Sequence, residues 1–298
     1  MTVLSSLPGP EVTDPFADWI ELPMDTGDPT AADPTAHGVL HWAPTSTPGM
    51  TSRMATIADF VDRHRPRSVV VDVSVEVAVF VRLLGVRVTV FAMPGTRTDR
   101  AHRLGYEIAD RIVAPWSDSV YHPEWLQPFD DKTVYAGCIS RHADRTRSGT
   151  RDADTVAVLA GAGGSHLTTD YLDDVRTHTP SLHWRGIGAP GTPWVEDVWP
   201  LLTSAGVVVT HAGQNAVADV AASGSPAVVV AEDRPHDEQL ATARALGDAG
   251  LAVALDSWPD PSAWPAIIER ARALTADIRE TTRIDGAAAR AARAVSEV

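Results

Sequence analysis

Residues 206–239 hold two β-branched apolar runs, Gly206-Val-Val-Val-Thr210 and Ser225-Pro-Ala-Val-Val-Val-Ala231. Between them lies Ala216-Val-Ala-Asp219-Val-Ala-Ala-Ser-Gly224. Each run is too short for a helix, while the segment between has helical spacing closed by Gly224 and Pro226. The stretch predicts a strand–helix–strand unit of a buried parallel sheet.

The chemistry of this unit falls where its first strand ends, at His211-Ala212-Gly213-Gln214-Asn215. Gly213 permits a tight turn, and Gln214 and Asn215 open the helix. Free N–H groups and the positive end of the helix dipole suit a diphosphate there. At 100° per residue, Ala216, Val217, Val220 and Ala221 make the buried face, with Asn215 and Asp219 opposite. A carboxylate ~6 Å beyond the phosphate site is placed for ribose hydroxyls. A polar loop, Asp233-Arg-Pro-His-Asp237-Glu-Gln239, follows the second strand to the same sheet edge, where open α/β sheets bind ligands. A glycine turn alone fits an ordinary sheet-packing helix equally well.

The pattern His-Ala-Gly-x-Asn-x(3)-Asp-x(4)-Gly-x-Pro-x(10)-Asp-x-Gln over residues 211–239 resembles the donor-binding half of family-28 glycosyltransferases. The resemblance is firm over 154–253 and fainter over 1–137. It implies the GT-B fold, two Rossmann-like α/β domains facing across a cleft. It also implies a nucleotide-diphosphate sugar as co-substrate with no cofactor. In that family the acidic residue of this helix binds ribose, which falls on Asp219, where Glu is commoner. The family contacts donor sugar and ribose at the positions of Asp237 and Gln239, and the nucleobase edge with backbone at Val195.

The chain of 298 residues is long enough for two domains, each with its own core. Its net charge of −14 argues against a nucleic-acid groove. The single cysteine, Cys138, excludes a disulfide framework and cysteine-rich zinc sites and reads as buried structure. No apolar run reaches a membrane-spanning length, and Met1-Thr-Val-Leu-Ser-Ser-Leu-Pro8 lacks the features of a signal peptide. The expected location is cytoplasmic, with peripheral contact at the inner membrane face left open.

Alternation of strands and helices runs through both halves. In the first, strands are expected at Thr2–Ser5, 19–22, Ser68–Val71, 86–91, Arg111–Ala114 and 133–136, with helices over 50–63, 77–84 and 100–109. Residues 23–48 are rich in Pro, Asp, Thr and Gly and read as a long acceptor-side loop. His41, within it, reads as an ordinary loop residue rather than a base. Residues 1–140 form the acceptor-side domain, 141–153 a polar linker, and 154–298 the donor-binding domain, whose final helix returns to the first. In the second domain, strands are expected over 155–160, 182–185 and 251–255, and helices over 166–176, 262–274 and 279–298. The turn Gly161-Ala-Gly163-Gly164-Ser165 would face the Gly213 turn and share one diphosphate with it.

Members of the resembled family begin with a strand and a Gly-rich turn bearing a His. Here Thr2-Val-Leu-Ser-Ser-Leu-Pro8 matches their second strand, so the N-terminal domain is expected to be incomplete, with an unpaired position in its sheet. The chemistry implied is inverting sugar transfer to an acceptor hydroxyl, with helix-end N–H groups stabilising the leaving diphosphate. No Asp-x-Asp motif is present, in keeping with a metal-independent site. Glu76 and Asp72, at a strand end, are the remaining candidates for the base, against a role in helix capping. A non-catalytic nucleotide-sugar binder and a nucleotide-sugar 2-epimerase stand as alternatives.

Overall fold

The computed structural model describes residues 1–9, 18–25, 32–160, 167–188, 192 and 195–298. The strands are β1 (Thr2–Ser5), β2 (Asp18–Glu21), β3 (Ser68–Val71), β4 (Arg87–Phe91), β5 (Arg111–Ala114), β6 (Thr133–Tyr135), β7 (Asp152–Leu159), β8 (His183–Ile187), β9 (Ala205–His211), β10 (Ala227–Val230) and β11 (Val253–Leu255). They make sheets in the orders β1-β2, β3-β4-β5-β6 and β11-β10-β9-β7-β8. The helices are α1 (Pro48–His64), α2 (Val75–Leu83), α3 (Arg100–Ile108), α4 (Thr169–His178), α5 (Trp199–Ser204), α6 (Gln214–Ser223), α7 (Glu238–Asp248), α8 (Trp264–Arg272), α9 (Ile278–Thr281) and α10 (Ala287–Ser296).

Two compact units result. The first comprises Met1–Phe91, Thr98–Ile112 and Ala294–Val298, the second Ala92–Arg97 and Val113–Arg293. Residues 141–153 therefore fall inside the second unit. The reason is visible at Arg151, whose guanidinium donates to Ser225 Oγ (2.6 Å) and to the Ser223 and Gly224 carbonyls at the end of α6 (3.1 and 3.0 Å). A cation there satisfies terminal carbonyls and opposes the negative end of the helix dipole.

In the second unit every pairing of the five-stranded sheet is parallel. Val156, Val158, Val207, Val209, Val228 and Val230 join one apolar cluster with Trp264 and Ile268 of α8 and Leu172 and Val175 of α4. The intervening Ala157, Val208 and Val229 join another with Leu202, Val217, Val220 and Ala221 from α5 and α6. Both faces of each strand are thus covered, which is why these strands read as continuous apolar runs rather than alternating ones. β7 begins at Asp152, earlier than expected, because its first residues extend beside the start of β9. The expected helix over 279–298 divides into α9 and α10, with Arg283 and Gly286 at positive φ between them.

In the first unit, β1 pairs β2 and β3 pairs β4, both in parallel. Pro48 starts α1 at a position that lacks an intrahelical N–H partner in any case. Ser74 caps α2 by accepting from the Val77 N–H, and Asp99 caps α3 by accepting from the His102 N–H.

Candidate functional site

From β7 the chain passes to β8 on one side, then returns to β9 on the other. That reversal makes the carboxyl ends of β7 and β9 the topological switch point of the sheet, where ligands of open α/β folds bind. Leu159 sits opposite Thr210 in the register, so the turns leaving these strands start side by side. The turn after β7, with Gly163, Gly164 and Ser165, lies outside the described residues.

Three hydrogen bonds hold the turn after β9. Gly213 donates its N–H to His211 Nδ1 at 3.0 Å. A Cβ on Gly213 would lie 2.5 Å from His211 Cε1, so any side chain there would push the imidazole aside. Gln239, buried at the start of α7, accepts from the Ala212 and Glu232 N–H groups, both at 3.1 Å. One side chain thereby ties the end of β9 to the end of β10. Gly213 is also the N-cap of α6, and no side chain caps that helix. The first N–H groups of α6 consequently keep the anion-binding capacity of a helix start. The Gln214 Nε2 donor is buried there with no hydrogen-bond partner among the described residues, a costly arrangement unless something else accepts from it. Burial lowers the His211 pKa, with nearby Arg234 adding to it and Glu232 opposing.

Asn215 is exposed, as the helical spacing requires, but Asp219 is 8% exposed and not on an open face. Its carboxylate accepts from Ser140 Oγ (2.8 Å) and Arg141 Nε (3.2 Å), with His142 Nε2 at 3.8 Å. The segment read as a linker covers it, a contact between residues about 78 positions apart that helical periodicity does not encode. Val195 is half-buried against the α5–α6 cluster. Asp237 is exposed at φ 55°, on the rim of a cavity of about 430 Å³ that also takes in Glu232, Arg234, Asp256 and Trp258 beyond β10 and β11. Cys138 is half-buried; burial pushes its thiol up to about 12, so it is not a ready nucleophile.

On the first unit, Glu76 is engaged as a clamp. Its Oε1 accepts from the His41 and Trp42 N–H groups (2.8 and 3.0 Å), and Ser74 Oγ donates to its Oε2 (3.1 Å). Asp72 is exposed, on the wall of a cavity of about 260 Å³ shared with Glu76, His41 and Trp42. The clamp presents His41, whose Nε2 lies 3.0 Å from Asp99 Oδ1. His102 Nδ1 approaches the other oxygen, at 2.5 Å, and the two imidazoles sit 4.3 Å apart. Partial burial of Asp99 opposes its ionisation, yet the bonds to His102 and His41 outweigh it and hold the carboxyl well below the usual carboxylate range. A His oriented by a carboxylate is the arrangement of a general base. The two imidazoles and the carboxylate, with ligating atoms within 4.8 Å of one another, are also a donor set that fits a divalent metal. Sequence reading missed this group: His41 and Asp99 are 58 residues apart, with no motif joining them.

Residues 172–258 match the Glycosyltransferase family 28 C-terminal domain. None of the curated proteins matches. Among solved structures, the chain is similar to MurG of Acinetobacter baumannii at 14% identity, covering 96% of this chain and 86% of that one with a TM-score of 0.62. A UDP-glucosyltransferase from Polygonum tinctorium aligns at 16% identity over 98% of this chain and 89% of its own, with a TM-score of 0.62. CalG4, the calicheamicin glycosyltransferase, aligns at 16% over 83% and 79%, with a TM-score of 0.57. These identities establish the fold alone, a GT-B arrangement of parallel α/β sheets. Residues 172–258 are therefore similar to the C-terminal domain of glycosyltransferase family 28, and the chain has the fold those glycosyltransferases share.

Proposed function

We propose that this protein is an inverting, metal-independent glycosyltransferase that moves a sugar from a nucleotide-diphosphate donor to an acceptor hydroxyl. The observation that carries the reading is the uncapped start of α6 at the switch point between β7 and β9, with the buried Gln214 amide beside it. In the reaction the bond from the anomeric carbon to the diphosphate oxygen breaks, and the acceptor oxygen attacks from the opposite face. Charge builds on the departing diphosphate, and the N–H groups of Gln214 and Asn215, with the glycine turn at Gly163–Ser165, stabilise it in place. Asp219 holds the ribose after exchanging its bond from Arg141 for one from the sugar hydroxyls. Gln239 and Asp237 line the donor sugar, and Val195 the nucleobase. The acceptor proton goes to a base on the first unit, for which Glu76, Asp72 and the Asp99-oriented His41 are the candidates. A cytoplasmic setting supplies such donors, and an acceptor carried on a lipid would bring the protein to the inner membrane face. No helix among the described residues is long and apolar enough to cross a membrane.

Calorimetry with a panel of nucleoside diphosphates tests the reading. Asp219→Ala should weaken the bound nucleotide about tenfold, the scale of one charge-assisted hydrogen bond. Unchanged affinity removes Asp219 from the site. A second reading is a nucleotide-sugar binder without turnover. Release of nucleoside diphosphate from a matched donor separates the two, since a binder shows thermal stabilisation only.

A further inference from the structure

In the first unit, β1 is paired by β2 and β3 by β4, and among the described residues neither β1 nor β3 has a strand on its other edge. Both strands line the same groove, about 910 Å³ in volume, whose wall is completed by Ile57, Phe60 and Val61 of α1 and Val77 and Val81 of α2. The main-chain groups on those two edges are thus presented to one space. Unpaired N–H and C=O rows are templates for another strand.

The composition of these edges is that of interior strands. Thr2-Val-Leu-Ser5 and Ser68-Val-Val-Val71 carry no charge and no proline, the devices by which exposed edges are normally protected. Val70 is 42% exposed, although three successive valines belong to strands covered on both faces. The ionisable side chains lining the groove are Arg53, His64 and Asp72. Arg53 donates to Ser6 Oγ and to the Pro23 carbonyl, so its charge is turned into its own unit. The remainder of the lining is apolar or hydroxyl-bearing, which matches an uncharged occupant.

We infer that the first unit takes up an extended, uncharged, β-branched strand from a separate polypeptide segment. It would be about five residues long, a common strand length, bonded on one side to β1 and on the other to β3. Backbone hydrogen bonds would supply affinity and the groove wall would select the side chains, as in strand-addition complexes. This inference does not depend on the transferase reading.

The test compares two versions of the full chain, each carrying an N-terminal peptide on a Gly/Ser linker of about 15 residues, long enough to return along the strand in either direction. One carries Val-Thr-Val-Ile-Val; the other has proline at its second and fourth positions, which removes the ladder donors. Hydrogen exchange should slow at least tenfold at those amides of both β1 and β3 that do not bond β2 or β4. The melting temperature should rise relative to the proline control. The free peptide added to the unmodified chain should give the same pattern at higher concentration, which covers failure of the fusion to fold. Equal exchange in the two versions overturns the inference, as does protection of a single edge. Palmitate binding in the groove without any strand protection assigns it to an acyl chain and overturns it as well.

Discussion

Gln239 Oε1 sits 3.1 Å from the backbone nitrogen of Ala212, across 27 residues of sequence. Because the same oxygen also accepts from the Glu232 N–H, it fixes the distance between two strand ends at the candidate donor site. Gln239→Ala leaves two buried amide donors unpaired and should lower stability by about 2–3 kcal/mol. Gln239→Glu keeps an acceptor and should cost less. Urea denaturation of the three proteins checks the order, and equal midpoints would show that the clamp carries no stability.

Gly213→Ala places a methyl group 2.5 Å from His211 Cε1. The imidazole must swing away and release the Gly213 N–H, so a loss of about 1–3 kcal/mol is expected. Nucleotide affinity should fall with it, since the α6 start is displaced. Adding His211→Ala to Gly213→Ala makes room for the methyl and should recover part of the stability. A double variant no more stable than the single one places the strain elsewhere.

His211 has a pKa lowered by burial, and its Nδ1 must stay unprotonated to accept from Gly213. The unfolded chain therefore binds this proton more readily than the folded one. Stability from this group is complete above the unfolded value of about 6.5 and is lost as pH falls through the lower folded value. His142, also lowered by burial, acts in the same direction. Chemical denaturation between pH 8 and 5 should show declining stability, with a flatter profile for His211→Gln. An unchanged slope would show that His211 does not set the dependence.

Asp99→Asn keeps an oxygen to cap α3 but removes the charge that orients His41. If His41 is the base, the turnover of a matched donor and acceptor should fall about 10²- to 10⁴-fold with nucleotide affinity unchanged. Activity should survive EDTA. Loss of activity on chelation, restored by a divalent metal, would instead make His41, Asp99 and His102 ligands.

The strand–helix–strand unit of the second half was legible because both determinants are local. The valine runs at β9 and β10 record burial on two faces, and Gly224, at φ 62°, closes α6 where a side chain would be strained. The glycine turn and Gln239 could be singled out by spacing, since a strand end and the next helix start are fixed by chain connectivity. Helical periodicity placed Asp219 opposite the apolar face, but it carries no information about a segment that folds over that face from 78 residues away. Tertiary packing alone brought Ser140 and Arg141 onto Asp219, set Glu76 against the His41 and Trp42 backbone, and joined His41 to Asp99. It likewise drew β1 and β3 to the walls of one groove. Local propensity and connectivity set the elements and their order; pairings between distant residues depend on which surfaces the folded chain brings into contact.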